Sequence, residues 1–449
     1  MNATKKIFYG FGGLGYSVIG QTISNFFMFF ATSVLGLSGT LVGITIAIST
    51  VWDGISDTIV GYFSDRKPFG KMGKRNGFML VATIGMSVFN ILLWSIPSGI
   101  DDVWKFIWIL VALLLLETFN TMFATPYSAL GNELAVDATD RTKINAVSTI
   151  FTLIGVIVPS ILLVLFLPNS EEYPIGQLNP KGYINIAVVT SIICITFGLL
   201  CSLLTIPENV QQNKDVKSYA KFSIKTMFGT FLKPFKHKKL SPVILGYVLT
   251  STATVFLCGV GLHFFTYCFF YTSSQITTLL LSLMLGTMLS QPLWVVVSKK
   301  QKKKPALILG IMLTIVAVFA IIFVYLFRID LYKISFFLMI GLMFICGIGS
   351  GALYSLPTAI YGDITSKVCK ENNYGSFSGA LTFSSNIANS ITQLLIGVLL
   401  DLIRFDSGLE VQSLGVQTGI ALILFLGVEI SLIVSCTIFS SVKEPKDIR

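Results

Sequence analysis

Twelve runs of about 20 predominantly apolar residues recur along this 449-residue chain, and each is long enough to cross a hydrocarbon core of about 30 Å as a helix. They lie near residues 9–35, 40–64, 76–97, 103–130, 143–168, 182–206, 241–271, 274–298, 305–328, 335–361, 375–401 and 416–441. In lipid the backbone satisfies its own polar groups only as helices or closed barrels, so runs of this length predict an all-α membrane protein. The composition agrees: 53% of residues are hydrophobic and 12% charged, with a mean hydropathy of +0.79, which a soluble globular domain does not reach.

Charge checks the number of spans. If twelve is right, alternate loops should carry the lysines and arginines. The termini and the loops 65–75, 131–142, 207–240, 299–304 and 362–374, with their flanks, hold 27 of the 32 basic residues. The opposite loops hold Lys105, Lys181, Arg328, Lys333 and Arg404. This alternation predicts a multi-pass protein of the cell membrane with both termini in the cytoplasm. The net charge of +10 then reflects topology and attraction to anionic lipid, and no nucleic-acid partner is expected. The first apolar run, behind Lys5 and Lys6, is too long for a signal-peptide core and is expected to remain in the protein. Six of the seven cysteines fall in spans, and neither a disulfide framework nor a metal spacing is visible.

The lysine-rich loop before residue 241 divides the spans six and six. The expected organisation is a six-helix bundle over 1–206, a cytoplasmic linker with an amphipathic segment over 207–240, and a second six-helix bundle over 241–449. A weak repeat supports duplication: Pro126-Tyr-Ser-Ala-Leu-Gly131-Asn132 ends the fourth span and Pro357-Thr-Ala-Ile-Tyr-Gly362-Asp363 the tenth. Two such halves are the layout of carriers that work by rocking.

Asp53 and Asp57 stand one helical turn apart in the second span. At a rise of about 1.5 Å per residue they lie roughly 18 Å and 12 Å inside the boundary at Asp65, and the lysines and arginines within spans, Lys105, Lys143 and Arg328, stand at span ends and are not placed to neutralise them. Ionisable residues at that depth are costly and functional by default. Two carboxylates that close are not both ionised in a low dielectric unless a positive charge or a proton joins them. The missing positive charge is predicted to be a mobile cation.

Other polar residues form stripes within spans. Span one offers Ser17, Gln21, Ser24 and Asn25, span four Glu117, Asn120 and Thr121, and span eleven Thr382, Asn386, Asn389 and Gln393. Such stripes line a cavity or bond helices together. The substrate set read from them is Ser17, Gln21, Asn25, Asn120, Asn386 and Asn389. Glu117, one turn before Thr121, either adds a carboxylate to the cation site or serves as a packed hydrogen-bond donor. Glu429 reads as a protonated packing residue, and His263 as a core residue rather than a proton shuttle.

The start Tyr9-Gly-Phe-Gly12, the run Trp52-Asp-Gly-Ile-Ser-Asp57 with Gly61-Tyr-Phe-Ser-Asp-Arg66 and Gly73-Lys-Arg75, and Asp140-Arg141 resemble the glycoside-pentoside-hexuronide:cation symporters. That group is the melibiose-permease branch of the major facilitator superfamily. The resemblance implies the major facilitator fold and sodium- or proton-coupled symport by alternating access. It implies a cation bound by Asp53 and Asp57 with help from Ser56 and Thr121, where Ser56 replaces an asparagine often found in sodium users. Asp65, Arg66, Arg75 and Arg141 match a gating set at the cytoplasmic face, and Tyr354 matches an aromatic substrate platform. The family's charged sugar ligands fall on Ser17, Ala124, Val147 and Asn386, all neutral here. Galactoside specificity is therefore not implied.

No G-x-x-x-x-G-K-[ST] loop and no catalytic constellation occurs, so an ATP-driven pump and an enzyme are not expected. The expected activity is cation-coupled symport of a small organic solute, a glycoside among the candidates. A proton-coupled exporter or a lysolipid transporter of the same fold is the alternative. The expected partners are that solute and membrane lipids, the expected state is a monomer, and no cofactor or resident metal is called for beyond transported sodium.

Overall fold

The computed structural model describes the chain except residues 1–2, 67–71, 73–74, 135–137, 207–232, 332, 369–373 and 443–449, and in the helices it leaves some further side chains undescribed. Among the described residues the long elements are twelve helices: α1 Ala3–Phe29, α2 Gly39–Arg66, α3 Asn76–Trp94, α4 Asp102–Leu134, α5 Ala138–Phe166, α6 Pro180–Leu204, α7 Ser241–His263, α8 Ser273–Gln301, α9 Lys303–Leu326, α10 Ser335–Val368, α11 Tyr374–Leu402 and α12 Leu414–Ser441. Eleven are long and apolar enough to cross a membrane. The exception is α1, whose glycines and polar residues Ser17, Gln21, Thr22, Ser24 and Asn25 dilute its apolar content. The protein is thus a multi-pass helical membrane protein. The fourth and tenth helices run several residues past their predicted ends, which brings Glu133 and Asp363 onto helix rather than loop.

The chain divides into two compact units, Met1–Ala220 and Lys221–Arg449. The predicted linker lies outside the described residues up to 232; beyond it, Lys233–Lys236 forms one helical turn. Within the first unit α1 packs on α5 and α6, α3 on α4 and α6, and α2 on α4. Within the second, α7 packs on α11 and α12, α9 on α10 and α12, and α8 on α10. The pairing is the same helix for helix.

The Tyr-Gly-Phe-Gly opening has a packing reason. The rings of Tyr9 and Tyr127 stack with centroids 4.4 Å apart, and each hydroxyl donates to the other's backbone carbonyl, at 3.1 and 3.0 Å. A Cβ at Gly12 would meet Tyr127, and one at Gly131 would meet Tyr9. Glycine at both positions lets α1 and α4 close on this reciprocal clasp.

The clearest repeat is in the backbone. Each unit's first helix ends in a buried π turn, Phe30–Val34 after α1 and Phe264–Cys268 after α7. Six residues back along the chain, Leu37 N–H donates to the Ala31 carbonyl and Tyr271 N–H to the Phe265 carbonyl, both at 3.1 Å. The residue between is left-handed in each, Gly36 at φ 72° and Phe270 at φ 56°. A hydroxyl then caps the next helix: Ser38 Oγ accepts from Leu41 N–H, and Thr272 Oγ1 from Gln275 N–H. Glycine adopts the left-handed conformation at no steric cost, whereas a side chain pays about 1 kcal/mol. Gly36→Ala is therefore expected to lower stability by about 1 kcal/mol and Phe270→Gly to raise it by a similar amount. Thermal unfolding of the detergent-solubilised protein checks both signs.

Candidate cation site and its polar surroundings

α2 and α4 run side by side, and two turns of α2 meet two turns of α4 through carboxylate and hydroxyl. Thr121 Oγ1 donates to Asp53 Oδ1 at 2.9 Å, and one turn further Thr125 Oγ1 donates to Asp57 Oδ1 at 3.1 Å. Ser56 Oγ lies 3.0 Å from Thr121 Oγ1 and 3.0 Å from the Asp53 carbonyl. Above these rungs Trp52 Nε1 donates to Thr118 Oγ1 at 2.8 Å, which fixes the register of the two helices. Ser56 and Thr121 are buried, whereas Asp57 is exposed and Asp53 half-buried. The pair therefore has one dry end and one open end.

Glu117 projects one turn before Thr121 and accepts from Asn120 Nδ2 at 3.2 Å. It lies within electrostatic reach of Asp53 and Asp57, so three acids share one region of the first unit. The basic residues of α2 and α4 are Arg66 and Lys105, both at helix ends. Among the described residues no group of three His, Cys, Asp or Glu side chains is arranged to hold a metal ion. A cation here would rely on the two aspartates and neutral oxygens. Pro126 adds to those oxygens: lacking an N–H, it leaves the Met122 carbonyl, in the turn that joins Thr121 to Thr125, without its usual helical donor.

The second unit carries the neutral counterpart. Thr287 and Gln291, one turn apart on α8, donate to the Gly347 and Gly351 carbonyls of α10, each at 3.1 Å. These are two uncharged contacts, one turn apart, between the equivalent pair of helices.

The predicted substrate residues separate into two kinds. Ser17 is buried in the seam between α1 and α5, donating to the Thr152 carbonyl at 3.2 Å, so its hydroxyl serves helix packing. Gln21 Nε2 donates to Asn25 Oδ1 at 2.7 Å, and the buried Asn25 Nδ2 has no hydrogen-bond partner among the described residues. In the second unit Asn389 Oδ1 accepts from Ser251 Oγ of α7 at 2.9 Å, and Asn386 is half-buried one turn earlier on α11. Tyr354 is 58% exposed on α10, within electrostatic reach of Tyr247 and Cys258 of α7.

Of the gating set, the side chains of Asp65, Arg66 and Arg141 lie outside the described residues. Arg75 is described and unites three helices: Nε and Nη2 both contact Glu133 Oε1 at 3.1 Å, and Nη1 donates to Ser64 Oγ at 2.9 Å. Lys6 and Asp140 pair between α1 and α5 at the same end. The second unit again has an equivalent, Lys303 Nζ to Asp363 Oδ2 at 2.6 Å, joining the start of α9 to the end of α10. Sequence reasoning missed Thr125 and Glu133. The signal for Thr125 was available in its spacing of four from Thr121, which matches the spacing of the aspartates.

The profile of the MFS/sugar transport protein family matches residues 8–443, and the chain belongs to that family. An uncharacterized symporter of Synechocystis sp. is 30% identical over 215 residues, 46% of this chain and 38% of that protein. The sodium-dependent lysophosphatidylcholine symporter 1-B of Danio rerio is 23% identical over 332 residues, 69% of this chain and 62% of that protein. The chain thus spans less than two thirds of the length of both. The sphingosine-1-phosphate transporter MFSD2B of Xenopus tropicalis is 22% identical over 477 residues, 100% of this chain and 89% of that protein. Among solved structures, the nucleoside transporter NupG matches with a TM-score of 0.67 at 13% identity, covering 98% of this chain and 99% of that one. A D-xylose–proton symporter also gives 0.67 at 13% identity, covering 98% of each chain. These likenesses establish the major facilitator fold.

Losing Thr121 removes a buried donor that touches both Asp53 and Ser56, whereas losing Thr125 removes one beside an open carboxylate. Thr121→Val is therefore expected to cost about 1–3 kcal/mol of stability and Thr125→Val about 0.5–1.5 kcal/mol. Paired melting curves of the two variants check the order.

Proposed function

We propose that the chain is a secondary active carrier in which sodium bound at Asp53 and Asp57 drives symport of a small organic solute by alternating access. The observation that carries this reading is the double rung between α2 and α4: two carboxylates one turn apart, hydroxyls turned toward them, and no basic residue except at the helix ends. A cation entering from the open Asp57 end replaces mutual repulsion with attraction to both acids. Sodium, which favours oxygen ligands, would find carboxylate, hydroxyl and the Met122 carbonyl within two turns. Binding then favours the conformation that takes up solute, so the two ligands raise each other's affinity.

Family membership and the symporters among the relatives support this reading, and the sodium dependence for which the Danio rerio protein is named favours sodium over proton. In this reading the protein resides in the plasma membrane with both termini in the cytoplasm, as the distribution of lysines and arginines favours. A second reading, symport of a lysolipid-like amphiphile, has a specific support. Relatives that match most or all of the chain are named for lysophosphatidylcholine and sphingosine-1-phosphate, and the positions of the family's charged sugar ligands are neutral here.

Sodium that binds the folded state stabilises it by RT ln(1 + [L]/Kd), about 2.7 kcal/mol at a hundredfold excess over Kd. Melting of the purified protein is expected to rise with sodium and not with potassium, and to lose that response in Asp53→Asn and Asp57→Asn. A melting shift with pH alone, removed by the same variants, would replace sodium with a proton. In proteoliposomes, Asp57→Asn is expected to abolish sodium-dependent uptake while the protein stays in the membrane. Uptake compared between lysophosphatidylcholine and neutral glycosides separates the two solute classes; sodium-driven uptake left intact in Asp57→Asn would overturn the site.

A further inference from the structure

Glu429 lies in the middle of α12 and is 3% exposed, and neither carboxyl oxygen has a hydrogen-bond partner among the described residues. Its own turn offers no relief, because Ser431 Oγ donates to the Gly427 carbonyl at 2.7 Å. Around it α12 is packed with apolar groups: Gly427 sits against Phe256 of α7, and the ring of Phe425 lies 4.9 Å from that of Phe319 of α9.

Within electrostatic reach lies Cys346 of α10, a buried thiol. α7 contributes Tyr247, Cys258 and His263, and its π turn Tyr267 and Cys268; α11 carries Asp401 near its end. α9 has Lys303 and Lys304 at its start and Tyr325 at its end, with no lysine or arginine between. No side-chain cation is therefore placed on these helices to pair with Glu429 at mid-helix.

An unpaired carboxylate in such surroundings is far more costly than a neutral acid. A neutral acid still buries a hydroxyl without an acceptor, so the group adds nothing to packing that an apolar side chain would not do better. We propose that Glu429 is a proton-binding site of the second unit, separate from the acids of α2 and α4, and that it holds its proton in this conformation. The step is simple: a carboxylate oxygen takes up one proton from water when that part of the unit is hydrated, and returns it when hydrated again.

The test uses the purified full-length protein and the proton as ligand. Infrared spectra at pH 7, in H2O and D2O, are expected to contain a protonated-carboxyl band that Glu429→Gln removes and that the Asp53→Asn, Asp57→Asn double variant retains. A band unchanged by Glu429→Gln overturns the proposal. Melting is the second readout, since a carboxyl that holds its proton in the folded protein makes stability fall as pH rises. Loss of the proton buries an unpaired charge, so the wild type is expected to melt at lower temperature as pH rises above neutral. Glu429→Gln and Glu429→Met are expected to fold, to melt no lower than the wild type at pH 7, and to lose most of that alkaline decline. An alkaline decline equal to that of the wild type in Glu429→Gln overturns the proposal.

Discussion

Everything in this molecule follows from a backbone that has no water to bond with. Inside a hydrocarbon layer each N–H and C=O must find a partner within the protein, so the chain becomes long helices and departures from helix are confined to protected places. The departures seen here obey that rule. Both π turns are buried, and their displaced amides find carbonyls five or six residues back. Pro126 breaks one helical bond, and it does so beside polar side chains. Helices held by internal bonds then attract one another weakly, and close approach depends on small residues and interhelical hydrogen bonds. The stacked tyrosines and facing glycines of α1 and α4 are such an approach.

Against that background, acids in the spans are the departures with chemical consequence. Asp53 and Asp57 are oriented by hydroxyls of a neighbouring helix, and the buried Ser56 and Thr121 set a dry floor beneath them. Two carboxylates and several neutral oxygens suit a monovalent cation better than a structural divalent metal, which would call for a tighter set of charged ligands. Arg75 works at the other end of the same helices, where its planar fork meets Glu133 and its remaining nitrogen reaches Ser64. One helix pair thus carries both the candidate ion site and a three-helix tie.

Helix number and the acid pair were legible in the sequence because both are gross violations or fulfilments of membrane cost. An apolar run of 20 residues and an aspartate within it are hard to read otherwise. Thr125 was not legible from charge, since a threonine in an apolar helix commonly bonds its own backbone, as Thr118 does to the Leu114 carbonyl. Glu133 was hidden because α4 outlasts its apolar run by about one turn, Gly131 to Leu134. Ser17 read as cavity lining because a polar stripe does not reveal which of its members face another helix. The π turns left no periodic trace, for one extra residue in a turn scarcely changes an apolar pattern. Gly36 marks one of them, but Phe270 occupies the matching place in the other.

The neutral rungs of the second unit give the charged ones a meaning beyond their own geometry. Thr287 and Gln291 show this pair of helices joined by neutral groups: each side chain donates to a backbone carbonyl of the facing helix. Asp53 and Asp57 occupy the same two steps with groups that donate nothing and carry charge. The molecule therefore holds two versions of one helix pair, joined by neutral side chains in one unit and by carboxylates in the other. A candidate ion site in such a chain needs no new architecture. It needs only that two steps of one helix pair carry acids where the equivalent helix of the other unit carries a threonine and a glutamine.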